Sequence, residues 1–406
     1  MLIGRRMKLE AQVRGEGVAR LVVLPYAPGT SKTTLHRGEA VKLLPGKWQK
    51  ISFVYDPGEN VTARIAPAVE LESGKELFFD DFRISSLPSG KNVKLEKEYF
   101  LAPAAKSFEV RCFNAEAGKV CKLFLMEKSV KYTAFTAKAD SSGKAVFTLP
   151  AQAAGTYQLI AVSGGSNSEG VVEVAPAKEL EALKQAGVQA KIPAGTHILI
   201  LGDSLSDFLR GRNYADKIAL FLKHKNVTVK NAGVKGDMIS RVRDRLTGVK
   251  TYRPKGYEGI FSPMPDRTVI FLGHNDTVLR DGKIQLPFDE AEKAWREVLT
   301  LLRKKNPKMQ ITLLTPVCSL RQACLDNMER RFKQGLGRIE FGRPELLEQY
   351  GALVRKLAKE YKCDVVDVYT PMKKMKETVH LFNPGDGVHI SEAGNRFVAL
   401  ELLKSL

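Results

Sequence analysis

From about Pro193 onward the chain alternates short apolar runs with longer amphipathic stretches, and this rhythm restricts its second half to one kind of architecture. Ile198-Leu199-Ile200-Leu201 is uninterrupted apolar sequence, as expected of a strand buried on both faces. Val227-Thr228-Val229, Thr268-Val269-Ile270-Phe271-Leu272, Ile311-Thr312-Leu313-Leu314 and Val365-Val366-Asp367-Val368 repeat the signal. Helical periodicity falls between them. Ala291, Trp295, Val298 and Leu302 share one face of a helix over about Asp289–Lys304, and Leu347, Tyr350, Val354, Leu357 and Tyr361 do so over Pro344–Tyr361. A last helix is expected at about Glu392–Leu403. Strands alternating with helices predict a five-stranded parallel sheet covered on both sides, a three-layer α/β domain over residues 193–406.

Residues 1 to about 176 have a different texture. Short alternating runs such as Lys50-Ile51-Ser52-Phe53-Val54-Tyr55 and Gly155-Thr156-Tyr157-Gln158-Leu159-Ile160-Ala161-Val162 are broken by Gly, Pro, Asn and Asp. That spacing reads as β-sandwich. A linker-like stretch, Ser85–Lys91, divides the region, predicting two all-β sandwiches over residues 1–88 and 89–176, with one larger sandwich as the alternative. Leu180, Leu183 and Ala186 mark a connecting helix within residues 177–192.

Composition excludes several classes. No apolar run approaches the ~20 residues needed to span a bilayer, so membrane insertion is not expected. Met1–Val13 lacks the apolar core of a signal peptide. The five cysteines are odd in number and match no metal-site spacing, which argues against a disulfide framework. Cys112 and Cys121 flank a predicted hairpin turn and read as two buried thiols, with pairing the alternative. The formal net charge is +19, about +13 of it after residue 176. Such a surface favours anionic partners. No nucleic-acid motif accompanies it, so no nucleic-acid partner is expected and the charge reads as diffuse and solubilising.

Open parallel sheets present their working residues at the carboxyl ends of the strands. Gly202-Asp203-Ser204-Leu205 follows the first strand, where Ser204 would begin a helix with unpaired N–H groups beside it. Asn231-Ala232-Gly233 follows the second and Gly273-His274-Asn275-Asp276 the third; an Asn amide there can donate to a developing oxyanion. Asp386-Gly387-Val388-His389 precedes the last helix and supplies a base with a carboxylate to orient it. Singly, each has an ordinary explanation as a helix cap, a turn or a surface histidine. Together they place a nucleophile, a base, an orienting acid and oxyanion donors on one rim, which is what acyl transfer requires.

This set resembles the SGNH (GDSL) hydrolase superfamily over roughly residues 195–406. The resemblance implies Ser204 as nucleophile, His389 as base and Asp386 as its partner. It implies an oxyanion hole formed by the Ser204 and Gly233 backbone N–H groups and the Asn275 amide, with no cofactor or metal. The first block resembles jelly-roll carbohydrate-binding modules through Phe79-Asp80-Asp81-Phe82-Arg83-Ile84 and Gly46-Lys47-Trp48-Gln49-Lys50-Ile51, though it is short for a full module. Tyr26, Trp48 and Tyr55 are then candidate sugar-stacking rings, with core packing as the alternative. The middle block is similar to an immunoglobulin-type spacer in strand texture. The resemblance implies an esterase acting on an acylated carbohydrate, secreted or periplasmic. The rivals are a lipase-type acyl esterase, a non-catalytic carbohydrate-binding protein, and a metallophosphoesterase drawing on Asp203, His274, Asn275 and His389.

Overall fold

The computed structural model describes residues 5–27, 33–58, 62, 64–87, 92–127, 131–249, 253 and 256–406. The chain divides into two compact units, Met1–Ala177 and Lys178–Leu406. Most of the Ser85–Lys91 linker lies outside the described residues.

The first unit is rich in strands. A 20-residue strand, Met7–Tyr26, pairs antiparallel along its length with Arg64–Ser86. Its other edge carries Gln49–Tyr55, Val41–Lys42 and His36–Arg37. Met7, Leu9, Ala11 and Val13, then Ala19, Leu21 and Val23, are buried, the period of two that a strand imposes. Between these arms the ladder shifts register. Gly17 there has φ of +138°, and a Cβ on it would stand 1.9 Å from the Ser73 carbonyl oxygen, so only glycine fits this bulge. The sandwich expected here is thus one five-stranded sheet whose two arms share a hydrophobic cluster with Leu43, Ile51 and Tyr55.

Residues 94–175 form two sheets of five and three strands. Their inner faces meet in a core that includes Val110, Cys112, Phe147, Leu123, Leu159 and Val172. Cys112 and Cys121 are unbonded buried thiols with Sγ atoms 3.4 Å apart.

The second unit is built on a parallel sheet. In spatial order its strands are Thr228–Asn231, His197–Gly202, Arg267–Phe271, Gln310–Leu314 and Asp364–Val366. The first strand in sequence therefore lies between the second and third, which creates a topological switch point beside its carboxyl end. Leu199, Leu201, Ile270, Ile311 and Leu313 pack with Trp295, Val298, Leu302, Val354 and Leu357 from the helices Phe288–Lys305 and Pro344–Glu360. On the other face the Tyr214 and Phe271 rings meet edge to face at 5.5 Å. Trp295 donates its indole N–H to the Tyr350 hydroxyl at 2.8 Å, so the two large buried side chains satisfy each other. The helix Ala177–Gln189 is joined to the last helix, Glu392–Ser405, by an Arg396–Glu179 ion pair of 2.7 Å.

Candidate active site

Ser204 opens the short helix Ser204–Asp207 directly after the His197–Gly202 strand. Gly202 is needed there, because a Cβ would stand 2.1 Å from the Ser206 Oγ. The turn is fixed by Asp203, whose Oδ1 accepts the Leu205 N–H at 2.9 Å. Ser204 itself is only 7% exposed. As the first residue of that helix, its backbone N–H has no helical carbonyl four residues earlier to bond.

His389 arrives from the far end of the sequence on a loop that its own neighbour braces. Asp386 Oδ1 accepts the Val388 and His389 backbone N–H groups, each at 2.9 Å. Asp386 Oδ2 lies 2.9 Å from His389 Nδ1. Gly387, at φ +71°, permits the tight turn between them; a Cβ would approach the Leu320 carbonyl oxygen to 2.5 Å. His389 Nε2 lies 2.9 Å from Ser204 Oγ, across 185 positions of sequence. A proton on Nδ1, facing the carboxylate, leaves Nε2 to accept from the serine hydroxyl. Burial pushes the Asp386 carboxyl up, but hydrogen bonds from the His389 ring and backbone outweigh it and hold the group below the ordinary aspartate range. The Phe208 ring packs against the imidazole at 4.5 Å and confines it further.

The assigned oxyanion donors are placed unequally. Asn275 lines the same cavity as Ser204 and His389. Its Nδ2 donates to Asp203 Oδ2 at 3.2 Å and to the Asp237 carbonyl at 3.1 Å. Gly233 is buried, and its N–H donates to Asn231 Oδ1 at 3.0 Å. A Cβ at Gly233 would stand 2.5 Å from the Ser206 Cβ, so close backbone approach alone demands glycine. The structure therefore gathers Ser204, His389, Asp386 and Asn275 around one opening, while Gly233 packs against Ser206 and is not among the residues lining that cavity.

Beneath the nucleophile lies a second group of carboxyls. Asp203 is fully buried; burial, reinforced by Asp276 and Asp237, raises it to about 7. Burial likewise raises Asp276 to about 6, although its Oδ1 accepts the Ile239 N–H at 2.8 Å. His274 is pushed down to about 4, by burial first and then by the neighbouring His389, and stands as a neutral ring in the cavity wall. No group of three or more His, Cys, Asp or Glu among the described residues is arranged to hold a metal ion.

The stacking candidates separate in the first unit. Tyr55 is 2% exposed and belongs to the core cluster, so its ring is closed to a sugar. This is the core-packing reading, and the strand Gln49–Tyr55 carries its signal, since Tyr55 falls on the same inward phase as Ile51. Tyr26 is half-buried with the Arg64 guanidinium 4.7 Å over its ring. Trp48 is 46% exposed, with Arg14 stacked on it at 5.0 Å.

Asp203 is the helix N-cap that the sequence suggests, whereas Phe208 and the cations of the cavity are not apparent from sequence. Asp203 had a visible signal, its place between the turn glycine and the serine. The others had none, since only the fold brings them to the site.

A three-layer α/β domain with a Ser–His–Asp hydrogen-bonded chain at the switch point of its parallel sheet has the make-up of a hydrolase. Residues 200–397 match the model of the GDSL-like Lipase/Acylhydrolase family, and this part of the chain is a GDSL-like acylhydrolase domain. Among solved structures, the chain is similar to a lipase/acylhydrolase from Enterococcus faecalis, at 18% identity over 52% of this chain and 94% of that one, TM-score 0.37. It is also similar to a carbohydrate esterase family 2 enzyme with a carbohydrate binding domain from Corynascus thermopiles (Myceliophthora fergusii), at 14% identity over 77% and 98%, TM-score 0.36. A third is a peptidoglycan O-acetylesterase, at 13% identity over 78% and 75%, TM-score 0.30. No curated protein sequence matches the chain.

Proposed function

We propose that the chain is a serine esterase that hydrolyses carboxylic esters through an acyl-enzyme, with acetylated carbohydrate as its substrate class. The observation that carries the reading is the unbroken hydrogen-bonded chain from Ser204 Oγ through His389 to Asp386, with both links at 2.9 Å. Ser204 Oγ attacks the ester carbonyl while its proton passes to His389 Nε2. The charge gained by His389 is balanced by Asp386. The Ser204 N–H is the donor assigned first to the tetrahedral oxyanion; the Asn275 amide and the Gly233 N–H join it by exchanging their present acceptors, Asp203 Oδ2 and the Asp237 carbonyl for Asn275 and Asn231 Oδ1 for Gly233. The intermediate collapses, the alcohol leaves with the proton from His389, and water repeats the sequence on the acyl-serine. The strand-rich unit ahead of the hydrolase domain, with Trp48 open at its surface, favours a polymeric sugar substrate met outside the cytoplasm.

A second reading has one observation of its own. A cavity of about 470 Å³ beside Ser204 has Leu205, Phe208, Leu209, Phe382 and Ile390 in its wall beside the polar Asn383, Ser391, Glu392 and Asn395, and its volume leaves room for an acyl chain longer than acetyl. Hydrolysis of p-nitrophenyl esters across acyl lengths, alongside release of acetate from O-acetylated oligosaccharides, separates the two. A maximum at acetyl with acetate release from sugars is expected. A maximum at medium chains with no release from sugars would replace the carbohydrate reading with the lipase-type one.

A further inference from the structure

Two cavities meet at the Ser204–His389 pair, and they differ in charge. The smaller mixes apolar side chains with Asn383, Ser391, Asn395 and one acid, Glu392, and has no lysine or arginine in its wall. The larger, about 840 Å³, holds Ser204, His274, Asn275, Asp386 and His389 in its wall. It is also lined by Lys235, Arg241, Arg253, Arg280, Arg330 and Arg331. Asp386 is its sole acidic lining residue among the described residues, and that carboxylate is engaged by His389.

A generally basic domain makes a basic surface, so the arrangement of these six matters more than their number. They come from separate segments. Lys235 follows the Thr228–Asn231 strand, Arg241 lies in the helix Ile239–Leu246, and Arg280 ends the short strand Leu279–Arg280. Arg330 and Arg331 stand in the last turns of the helix Arg321–Lys333. Elsewhere in the domain arginines are matched by carboxylates, as in Arg296 with Glu292 and Glu360, Arg343 with Glu340 and Arg355 with Asp367. In the cavity Arg241 and Arg253 likewise face a carboxylate, that of Asp237, but Arg330 is held differently. Arg330 Nη2 is oriented by neutral acceptors, Asn327 Oδ1 at 2.6 Å and the Gly385 carbonyl at 2.8 Å. Such bonds aim a guanidinium without neutralising it. Arg331 Nε is buried with no acceptor among the described residues, and a buried donor left unmatched is costly. Like charges converging on one hollow repel, and an anion seated among them relieves that repulsion. Guanidinium groups suit planar oxyanions through paired N–H donors.

We propose that this cavity is a specificity site for a negatively charged group on the ester, and that the substrate is an acylated acidic saccharide. The proposal rests on the esterase reading above. The acidic sugar lies in the basic cavity, its carboxylate or other oxyanion among Arg280, Arg330 and Arg331, and its ester carbonyl reaches Ser204.

The test compares two substrates that differ by one carboxylate, an O-acetylated methyl glucuronoside and the O-acetylated methyl glucoside, on the full chain. The charged ester should be preferred by about 10–100-fold in kcat/KM, the range that one or two charge-assisted hydrogen bonds supply. Raising salt from 0.05 to 0.5 M should shrink that ratio, since partly exposed charges are screened. Arg280→Gln with Arg331→Gln should collapse the ratio through KM, and the Arg280→Lys with Arg331→Lys pair should retain part of it. Lys308→Gln, distant from the cavity, should keep it. A thermal melt and the rate of Ser204 labelling by a fluorophosphonate show that each variant is folded. If Ser204 is labelled and p-nitrophenyl acetate is cleaved but the two sugars react alike, the cavity proposal fails and the esterase reading stands. If nothing is cleaved and Ser204 is not labelled, the esterase reading itself fails. A preference untouched by the arginine variants, or a stronger preference for an anionic lysophospholipid ester, also overturns the proposal.

Discussion

Two aspartates flank the same catalytic pair in opposite surroundings. Asp386 is half-buried, accepts two backbone N–H groups and faces the His389 ring, and its carboxyl is held below the ordinary range. Asp203 adjoins the nucleophile in sequence, yet it is fully buried near Asp276 and Asp237, and its carboxyl rises to about 7. Local environment, not residue type, divides the labour: one is a lasting negative charge that orients the base, the other a buried anchor that takes up a proton more readily than an ordinary aspartate and holds the serine turn and Asn275 in place.

The largest effect should come from the nucleophile. Ser204→Ala is expected to lower kcat on p-nitrophenyl acetate by about 10⁴–10⁶-fold, as removal of a triad serine does. Retention of parental turnover would show that another group attacks. Asp386→Asn keeps the shape but offers the imidazole an uncharged partner, so a loss of about 10⁴-fold is expected at neutral pH. A variant within tenfold of the parent would deny Asp386 its orienting role.

Asn275→Ala probes the link between the two carboxyl regions, because this amide bonds to Asp203 and also faces the catalytic cavity. Loss of one oxyanion donor predicts a fall of about 10²–10³-fold in kcat with KM little changed. A change in KM alone would make Asn275 a binding residue only.

The subtlest effect is on stability against pH, where the two aspartates should act with opposite sign. For Asp203 the folded value of about 7 exceeds the unfolded one, so the folded chain binds the extra proton. Its contribution is fully present below about pH 4 and is lost as pH rises toward 7. For Asp386 the folded value lies below the unfolded one, and its contribution is lost as the solution becomes acid. Chemical denaturation of the parent and Asp203→Asn between pH 4 and 7 measures the difference. The parent should lose stability relative to the variant as pH rises, and parallel curves would contradict the assignment.

Much of the hydrolase domain was legible in the sequence because each of its signals is local. Ile198–Leu201 announces a buried strand by composition alone, and Ser204 and Asn275 stand directly after such runs. The helix Arg321–Lys333 was not legible, since only Cys324 on it is buried and it shows no clear apolar stripe. The same helix carries Arg330 and Arg331 to the cavity wall. Six cations spread from Lys235 to Arg331 look like a solubilising excess until the fold converges them. For Tyr55 the sequence left stacking and core packing both open, and the strand's pairing settles it as core, since an aromatic on an alternating strand faces inward or outward according to register.

The most direct test is covalent trapping of the intact chain with a fluorophosphonate, followed by peptide mapping. A single adduct on the Ser204 hydroxyl is predicted, strongly slowed by His389→Ala, since that imidazole takes up the proton. An adduct at any other residue, or labelling of Ser204 that proceeds undiminished without His389, would contradict the account.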